Sequence, residues 1–265
     1  MREAINRRMA SLIPATRAQS LTRAAATSIA AGAALLAGGC AVLIGSGAFS
    51  GWFAVGTLAP YLVGSVVVIA RVAAYHPYDR LGTGNLLTLV RFMLTCLVAG
   101  LAVETVVADT PLEPSVAWRF FAMILAVTLL DGVDGPVARR QGLVSAFGAR
   151  FDMETDALLI LLLSVVALTL GKAGAWVLLG GALRYLFIAA GHVWPALAQP
   201  LPPSQRRKII CVVQSGALTL QLAPIIAPPL SEAIAFAALL ALIYSFAADV
   251  VWSLRAVHAA PVPSA

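Results

Sequence analysis

Residues 131–156 read DGVDGPVARRQGLVSAFGARFDMETD. Asp131, Asp134, Asp152, Glu154 and Asp156 stand there with Arg139, Arg140 and Arg150, between long runs of Leu, Ala, Val and Ile. So many carboxylates in so apolar a chain need a reason, and their spacing supplies one. Asp131, Asp134 and Gly135 fall at i, i+3 and i+4, so on a helix they share a face. Gly148, Asp152 and Asp156 follow one another at intervals of four and line a second face, one turn apart. Gly142 is placed to end the first helix, and Ser145 to cap the second. So short a connection sets the helices antiparallel and brings four carboxylates together.

The surrounding chain is that of a membrane protein. Of its 265 residues 60% are hydrophobic and 11% charged, with a mean hydropathy of +0.91; soluble domains carry about 25% charged residues. Apolar runs of about 20 residues mark helices that cross a bilayer, and the strand alternation of a lipid-facing barrel is missing. The sequence predicts an all-α, polytopic transmembrane bundle with eight spans near residues 24–47, 52–72, 86–108, 115–134, 148–170, 174–195, 208–227 and 232–252. The run from Ala24 to Ile44 is long for a cleaved signal segment, so it reads as a retained first span. An Ala/Pro tail after Arg255 reads as disordered.

The net charge of +6 and pI near 9.7 have an explanation other than nucleic acid, for no basic patch with interleaved aromatics occurs. The cations cluster by side. With the N-terminus inside, Arg2, Arg7, Arg8, Arg17, Arg23, Arg71, Arg80, Arg139, Arg140, Arg150, Arg206, Arg207, Lys208 and Arg255 all fall on the inner side. Lys172 and Arg119 fall outside, while Arg91 and Arg184 lie within spans. Positive-inside bias therefore predicts both termini, and the acidic stretch, on the cytoplasmic side of a bacterial-type inner membrane.

Four clustered carboxylates repel one another unless neutralised. Hard divalent cations with oxygen ligands do this, and a bridged pair suits in-line phosphoryl displacement. Gly135 and Gly148 would let a substrate or a neighbouring helix approach closely, and Arg139 is ready to hold a phosphate. The same acids could instead pair with the arginines as an intramembrane ion cluster without metal, or lie in a solvated loop; charges within spans more often mark function.

The spacing D-x-x-D-G-x-x-A-R-x8-G-x3-D-x3-D, met at Asp131, Asp134, Gly135, Ala138, Arg139, Gly148, Asp152 and Asp156, resembles the signature of the CDP-alcohol phosphatidyltransferase family. The resemblance covers the six spans from about residue 85 onward. It implies residues 1–80 as a basic N-terminus with two additional helices, 81–255 as a six-span catalytic core, and 256–265 as the tail. It implies two Mg2+ or Mn2+ ions on Asp131, Asp134, Asp152 and Asp156, with Asp156 also the general base. Gly135, Arg139 and Ser145 match positions that contact the CDP part of the donor. Upstream, GNLLTLVR places Asn85, Thr88 and Arg91 at the N-x-x-T-x-x-R spacing of the family's first core helix, where Asn85 and Thr88 would face the nucleotide; Gly84 stands where many members have Pro. The expected activity is transfer of a phosphatidyl group from CDP-diacylglycerol to an alcohol, releasing CMP, within phospholipid synthesis. Dimers are frequent in the family.

For the acceptor, Arg184, Lys208 and Gln214 resemble positions that serve phosphorylated acceptors, and with Arg206 and Arg207 they suggest a cationic pocket for a glycerol or inositol phosphate. The trio Arg206, Arg207 and Lys208 could equally be an interfacial anchor. The Gly-Lys and Thr positions usual before that Gln in glycerophosphate-type enzymes are missing. DGVDGPVAR also resembles phosphatidylcholine synthases, which carry eight spans and use choline; Glu104, Glu154 and Asp249 are the acids a choline site would draw on, though each could pair with an Arg. Two rivals are a prenyltransferase, whose acidic motifs lie on well-separated spans, and a cation-coupled transporter, which would show paired discontinuous helices. Cys40, Cys96 and Cys211 read as free thiols, His76, His192 and His258 as interface histidines, and the five Trp, near span ends, as an aromatic belt.

Overall fold

The computed structural model describes residues 15–107, 112–199, 201–202 and 204–258, and no strand occurs among them. The apolar runs form eight long helices among these residues: α1 (Ala15–Gly45), α2 (Gly51–Tyr75), α3 (Gly82–Val107), α4 (Pro114–Arg140), α5 (Ala146–Thr169), α6 (Leu178–Val193), α7 (Gln205–Gln221) and α8 (Leu230–His258). A 3-10 turn, Ala175–Val177, leads into α6, and another, Pro195–Ala198, follows it. α7 stops at Gln221, short of the expected residue 227, ahead of Pro224, Pro228 and Pro229, which cannot supply the amide hydrogens a helix needs. α8 continues to His258; the remainder of the expected tail, like Arg2, Arg7 and Arg8, lies outside the described residues.

Six of the eight helices are long and apolar enough to cross a membrane, α6 only together with the 3-10 turn before it (Ala175–Val193). The other two are α5, which carries Arg150, Asp152, Glu154 and Asp156, and α7, only 17 residues long and opening on Arg206, Arg207 and Lys208. α5 falls short through its four charges, which include the candidate site positions Asp152 and Asp156, and α7 through its length. All three cysteines are free thiols.

The chain divides into two compact units, Met1–Leu159 and Ile160–Ala265. In the first, α1 lays Leu21, Ala25, Ile29 and Leu36 against Tyr61, Val68 and Val72 of α2 and Leu89, Phe92 and Cys96 of α3. The Tyr61 hydroxyl donates to the Ile29 carbonyl at 2.9 Å. Lipid is as apolar as these side chains, so close van der Waals contact holds such helices together. Gly56 shows how close: a Cβ there would lie 2.8 Å from Cβ of Val103. Glu104, an acid near the end of α3, accepts from the backbone N–H and hydroxyl of Ser50 at 2.8 and 2.7 Å and so secures the start of α2.

In the second unit the backbones also approach through glycine. A Cβ on Gly181 would lie 2.8 Å from Cδ1 of Leu161, and one on Gly180 would lie 2.7 Å from Nε2 of Gln214. Lys172 bends its ammonium onto the carbonyls of Ala223 (3.1 Å) and Ile226, just past the end of α7, where the helix dipole favours a cation. Burial there holds its pKa below the ordinary lysine value.

Candidate active site

The acidic stretch folds as its spacing requires. α4 ends at Arg140, and Gly142 follows in the left-handed region at φ 65°. Leu143 N–H donates to Ala138 carbonyl and Gly142 N–H to Arg139 carbonyl, both at 3.1 Å, so the last carbonyls of α4 are satisfied in a Schellman turn. Ser145 opens α5 with its hydroxyl accepting from Gly148 N–H at 3.0 Å, an N-cap bond to the third helical residue. Five residues thus reverse the chain and set the carboxylates of α4 beside those of α5.

Arg91 stands at the centre of the resulting cluster. It is fully buried in α3. Nη1 bonds Asp152 at 2.6 Å, and Nη2 bonds Asp131 at 2.6 Å and also Asp156. Oxygens from Asp131, Asp152 and Asp156 all lie within 4.8 Å of one another. The side chain of Asp134 lies outside the described residues. The three acids are 23%, 37% and 21% exposed against 0% for the arginine, so the guanidinium plugs the base of a carboxylate cup whose other side is open. One positive charge faces three negative ones. The residues fit hard divalent cations: the donor set is all oxygen, the groups lie close together, and among the described residues the acids outnumber the guanidinium.

The residues the family resemblance assigned to the nucleotide fall on the same helices, Asn85 and Thr88 on α3, Gly135 and Arg139 on α4, and Ser145 at the start of α5. Asn85 is buried at the start of α3, its amide donating to the Leu81 carbonyl at 2.6 Å. A Cβ on Gly148 would come within 2.6 Å of its Oδ1, so what approaches closely at Gly148 is α3. Buried Thr88 donates to the Gly84 carbonyl at 3.1 Å. At Gly135 a Cβ would meet Nη1 of Arg139 at 3.2 Å, so this glycine leaves room for the guanidinium to fold back along its own helix. Arg139 itself is exposed.

His76, expected at a membrane interface, caps the end of α2. It is 1% exposed and bonded to the hydroxyl of Ser145 at 2.8 Å. Its distance from the acidic stretch, 69 residues before Ser145, leaves no local pattern that could reveal the contact.

The basic candidates lie in the other unit. Arg206 and Arg207 both bond the buried carboxylate of Asp249, Arg207 at 3.1 Å. Arg206 also lies over the ring of Tyr244, 6.0 Å from its centroid. Lys208 is exposed, and Arg184 is half-buried on α6, one turn after Gly180. Of the acids a choline site could use, Asp249 is taken by the two arginines, Glu154 pairs with Arg150 at 2.8 Å, and Glu104 holds Ser50.

The family model described as CDP-alcohol phosphatidyltransferase matches residues 81–248. No curated protein and no solved structure matches the chain.

Proposed function

Because the chain belongs to the CDP-alcohol phosphatidyltransferase family, a family of phosphotransferases, we propose that it moves the phosphatidyl group of CDP-diacylglycerol onto a phosphorylated polyol of the glycerol phosphate or inositol phosphate type and releases CMP. The observation behind this reading is the open cup of Asp131, Asp152 and Asp156 on a buried arginine, within the stretch that resembles the family signature.

Asp131, Asp134, Asp152 and Asp156 would hold two divalent cations, Mg2+ or Mn2+, whose charge would offset that of the pyrophosphate and the departing CMP. Asp156 takes the proton of the acceptor hydroxyl, and the oxygen so exposed attacks the phosphorus that carries the lipid. Attack in line with the leaving oxygen breaks the pyrophosphate and leaves a phosphodiester headgroup. Arg139 pairs with the donor phosphates, while Asn85, Thr88, Gly135 and Ser145 line the CDP part of the site. Arg91 keeps the carboxylates aligned from below.

Arg184 is assigned to the acceptor's phosphate, with Lys208 beside it in the assignment. Asp249 already claims Arg206 and Arg207, which makes them weaker candidates. The partners found for Glu104, Glu154 and Asp249 leave choline with less support than a phosphorylated acceptor.

The arginine distribution favours a bacterial-type inner membrane with the acidic loop in the cytoplasm, where CDP-donors are made. A cysteine at position 142 should therefore escape an impermeant label applied to intact cells.

Purified protein given CDP-diacylglycerol and, separately, glycerol 3-phosphate, inositol phosphate, inositol, serine and choline decides the reading. CMP release should require Mg2+ or Mn2+, stop in EDTA, and be fastest with a phosphorylated polyol. Release with choline alone would move the assignment to that acceptor, and no release with any would end it.

A further inference from the structure

The segment joining α2 to α3, of which residues 76–80 precede the matched 81–248, and the first residues of α3 reach the loop between α4 and α5 at several points. The hydroxyl of Tyr78 donates to the Val144 carbonyl at 3.0 Å. Thr83 N–H donates to Oε1 of Gln141 at 2.9 Å, and Nε2 of Gln141 donates in return to the Thr83 hydroxyl. Gly82, at φ 75°, lets the segments close up: a Cβ there would lie 2.6 Å from Cδ1 of Leu143.

His76 makes the most informative contact. Its Nε2 lies 2.8 Å from the Arg80 carbonyl and its Nδ1 2.8 Å from the Ser145 hydroxyl. A carbonyl only accepts, so Nε2 carries the hydrogen. In the neutral ring Nδ1 is then an acceptor, and the Ser145 hydroxyl donates to it. The Ser145 oxygen meanwhile accepts from Gly148 N–H at 3.0 Å. Its hydrogen and one lone pair are both committed, and one lone pair remains. His76 and Ser145 are each less than a tenth exposed, and the ring of Phe147 packs edge-on against the imidazole.

We infer that the α2–α3 segment is a working part of the active site, and that His76 is a positioning residue that fixes the Ser145 hydroxyl so that it meets the nucleotide donor only as a hydrogen-bond acceptor. Ser145 thus recognises an N–H or O–H of the cytidine moiety and does not donate to a phosphate oxygen. The additional helices α1 and α2 thereby acquire a function, for they anchor the segment that carries His76. The inference rests on the reading of Ser145 as a CDP contact.

The test uses the full chain in detergent or nanodiscs, with CDP-diacylglycerol as the probe. His76→Ala should raise the donor KM about 5- to 10-fold, as loss of a net hydrogen bond of about 1 kcal/mol or a little more implies, and leave the acceptor KM unchanged. Ser145→Ala should do the same, and the double variant should be no worse than Ser145→Ala alone, since the two act through one contact. His76→Asn, whose amide oxygen falls near the place of Nδ1, should recover most of the loss. Independent effects of the two Ala variants, or a wild-type donor KM in His76→Ala, would overturn the inference.

A second readout needs no turnover. Amide exchange of peptides covering residues 141–148 should quicken in His76→Ala and be restored in His76→Asn, whatever the protein catalyses. Unchanged exchange in His76→Ala sinks the positioning role. If His76→Ala does not fold, the comparison of His76→Asn with Tyr78→Phe decides: the first should keep wild-type exchange at Gly148, and faster exchange there than in Tyr78→Phe counts against the role. A wild-type protein that releases no CMP would remove the functional reading yet leave the exchange result standing on its own.

Discussion

Two ion clusters in this protein are built in opposite proportion. In the first unit one arginine, Arg91, faces Asp131, Asp152 and Asp156; in the second one acid, Asp249, faces Arg206 and Arg207. Both place the lone group of its sign in the most buried position, where it satisfies several partners at once. The remainder differs. Three carboxyl groups outnumber one guanidinium, an excess of acid that a divalent cation would meet. Two guanidiniums and one carboxylate leave plus one, a modest surplus that an anion or simple hydration meets. Clusters of buried charge are thus informative by their imbalance, because a balanced pair in a low-dielectric setting has no further need of a ligand.

Asp152→Asn should have the largest effect. If Asp152 holds a metal, its loss should cut CMP release on the order of 10³-fold or more, since even groups that only support a metal ligand are worth about 10–100-fold. A variant that keeps its melting temperature and loses turnover supports the metal reading, and one that retains full activity breaks it. Next comes Arg91→Met. It leaves three acids without their counter-ion and should cost about 2–3 kcal/mol in EDTA, less than the roughly 3–5 of a fully buried pair because the acids are part exposed. Mn2+ should return more of that stability than it adds to the wild type. If Mn2+ rescued Asp249→Asn equally, the contrast between the clusters would collapse.

Arg184→Ala addresses the acceptor. Loss of a charge-assisted contact costs about 1.5–3 kcal/mol, roughly 10- to 100-fold in affinity. The acceptor KM should rise by that factor while the donor KM stays put, and Arg206→Ala, whose guanidinium Asp249 already holds, should move the acceptor KM less. The smallest change belongs to Arg150→Gln. Its partner Glu154 is four residues on and both are well exposed, so about 0.3–0.5 kcal/mol is at stake, and thermal unfolding should shift within a degree or two. A larger fall would mean that Glu154 shares in the neighbouring acidic cluster.

Hydropathy made the helices legible, and caps made their ends legible. Gly142 and Ser145 announced the tight reversal between α4 and α5, and the intervals of three and four among the aspartates announced that they share faces. These signals act over one or two turns, which is why a single sequence carries them. What stayed hidden came from far along the chain. Arg91 is 61 residues from Asp152, and nothing in GNLLTLVR says that its arginine will sit beneath the acids. His76 had no partner within its own segment that could distinguish it from an interfacial histidine. Asp249 could be paired with some arginine on charge grounds, but the sequence did not say with which, nor that two would share it.

α5 also has to enter the membrane before it can do anything. An aspartate at the middle of a lone helix costs roughly 2.5–3.5 kcal/mol to insert, and this helix brings Asp152 and Asp156 together with Glu154 and Arg150. α3 leaves the ribosome earlier, carrying the buried cation that two of those acids will bind. The polarity that keeps α5 from being a self-sufficient span is therefore offset by a helix already made. The chain order thus puts the cation of α3 ahead of the acids it pairs with, so the less lipid-soluble helix of the pair is made second.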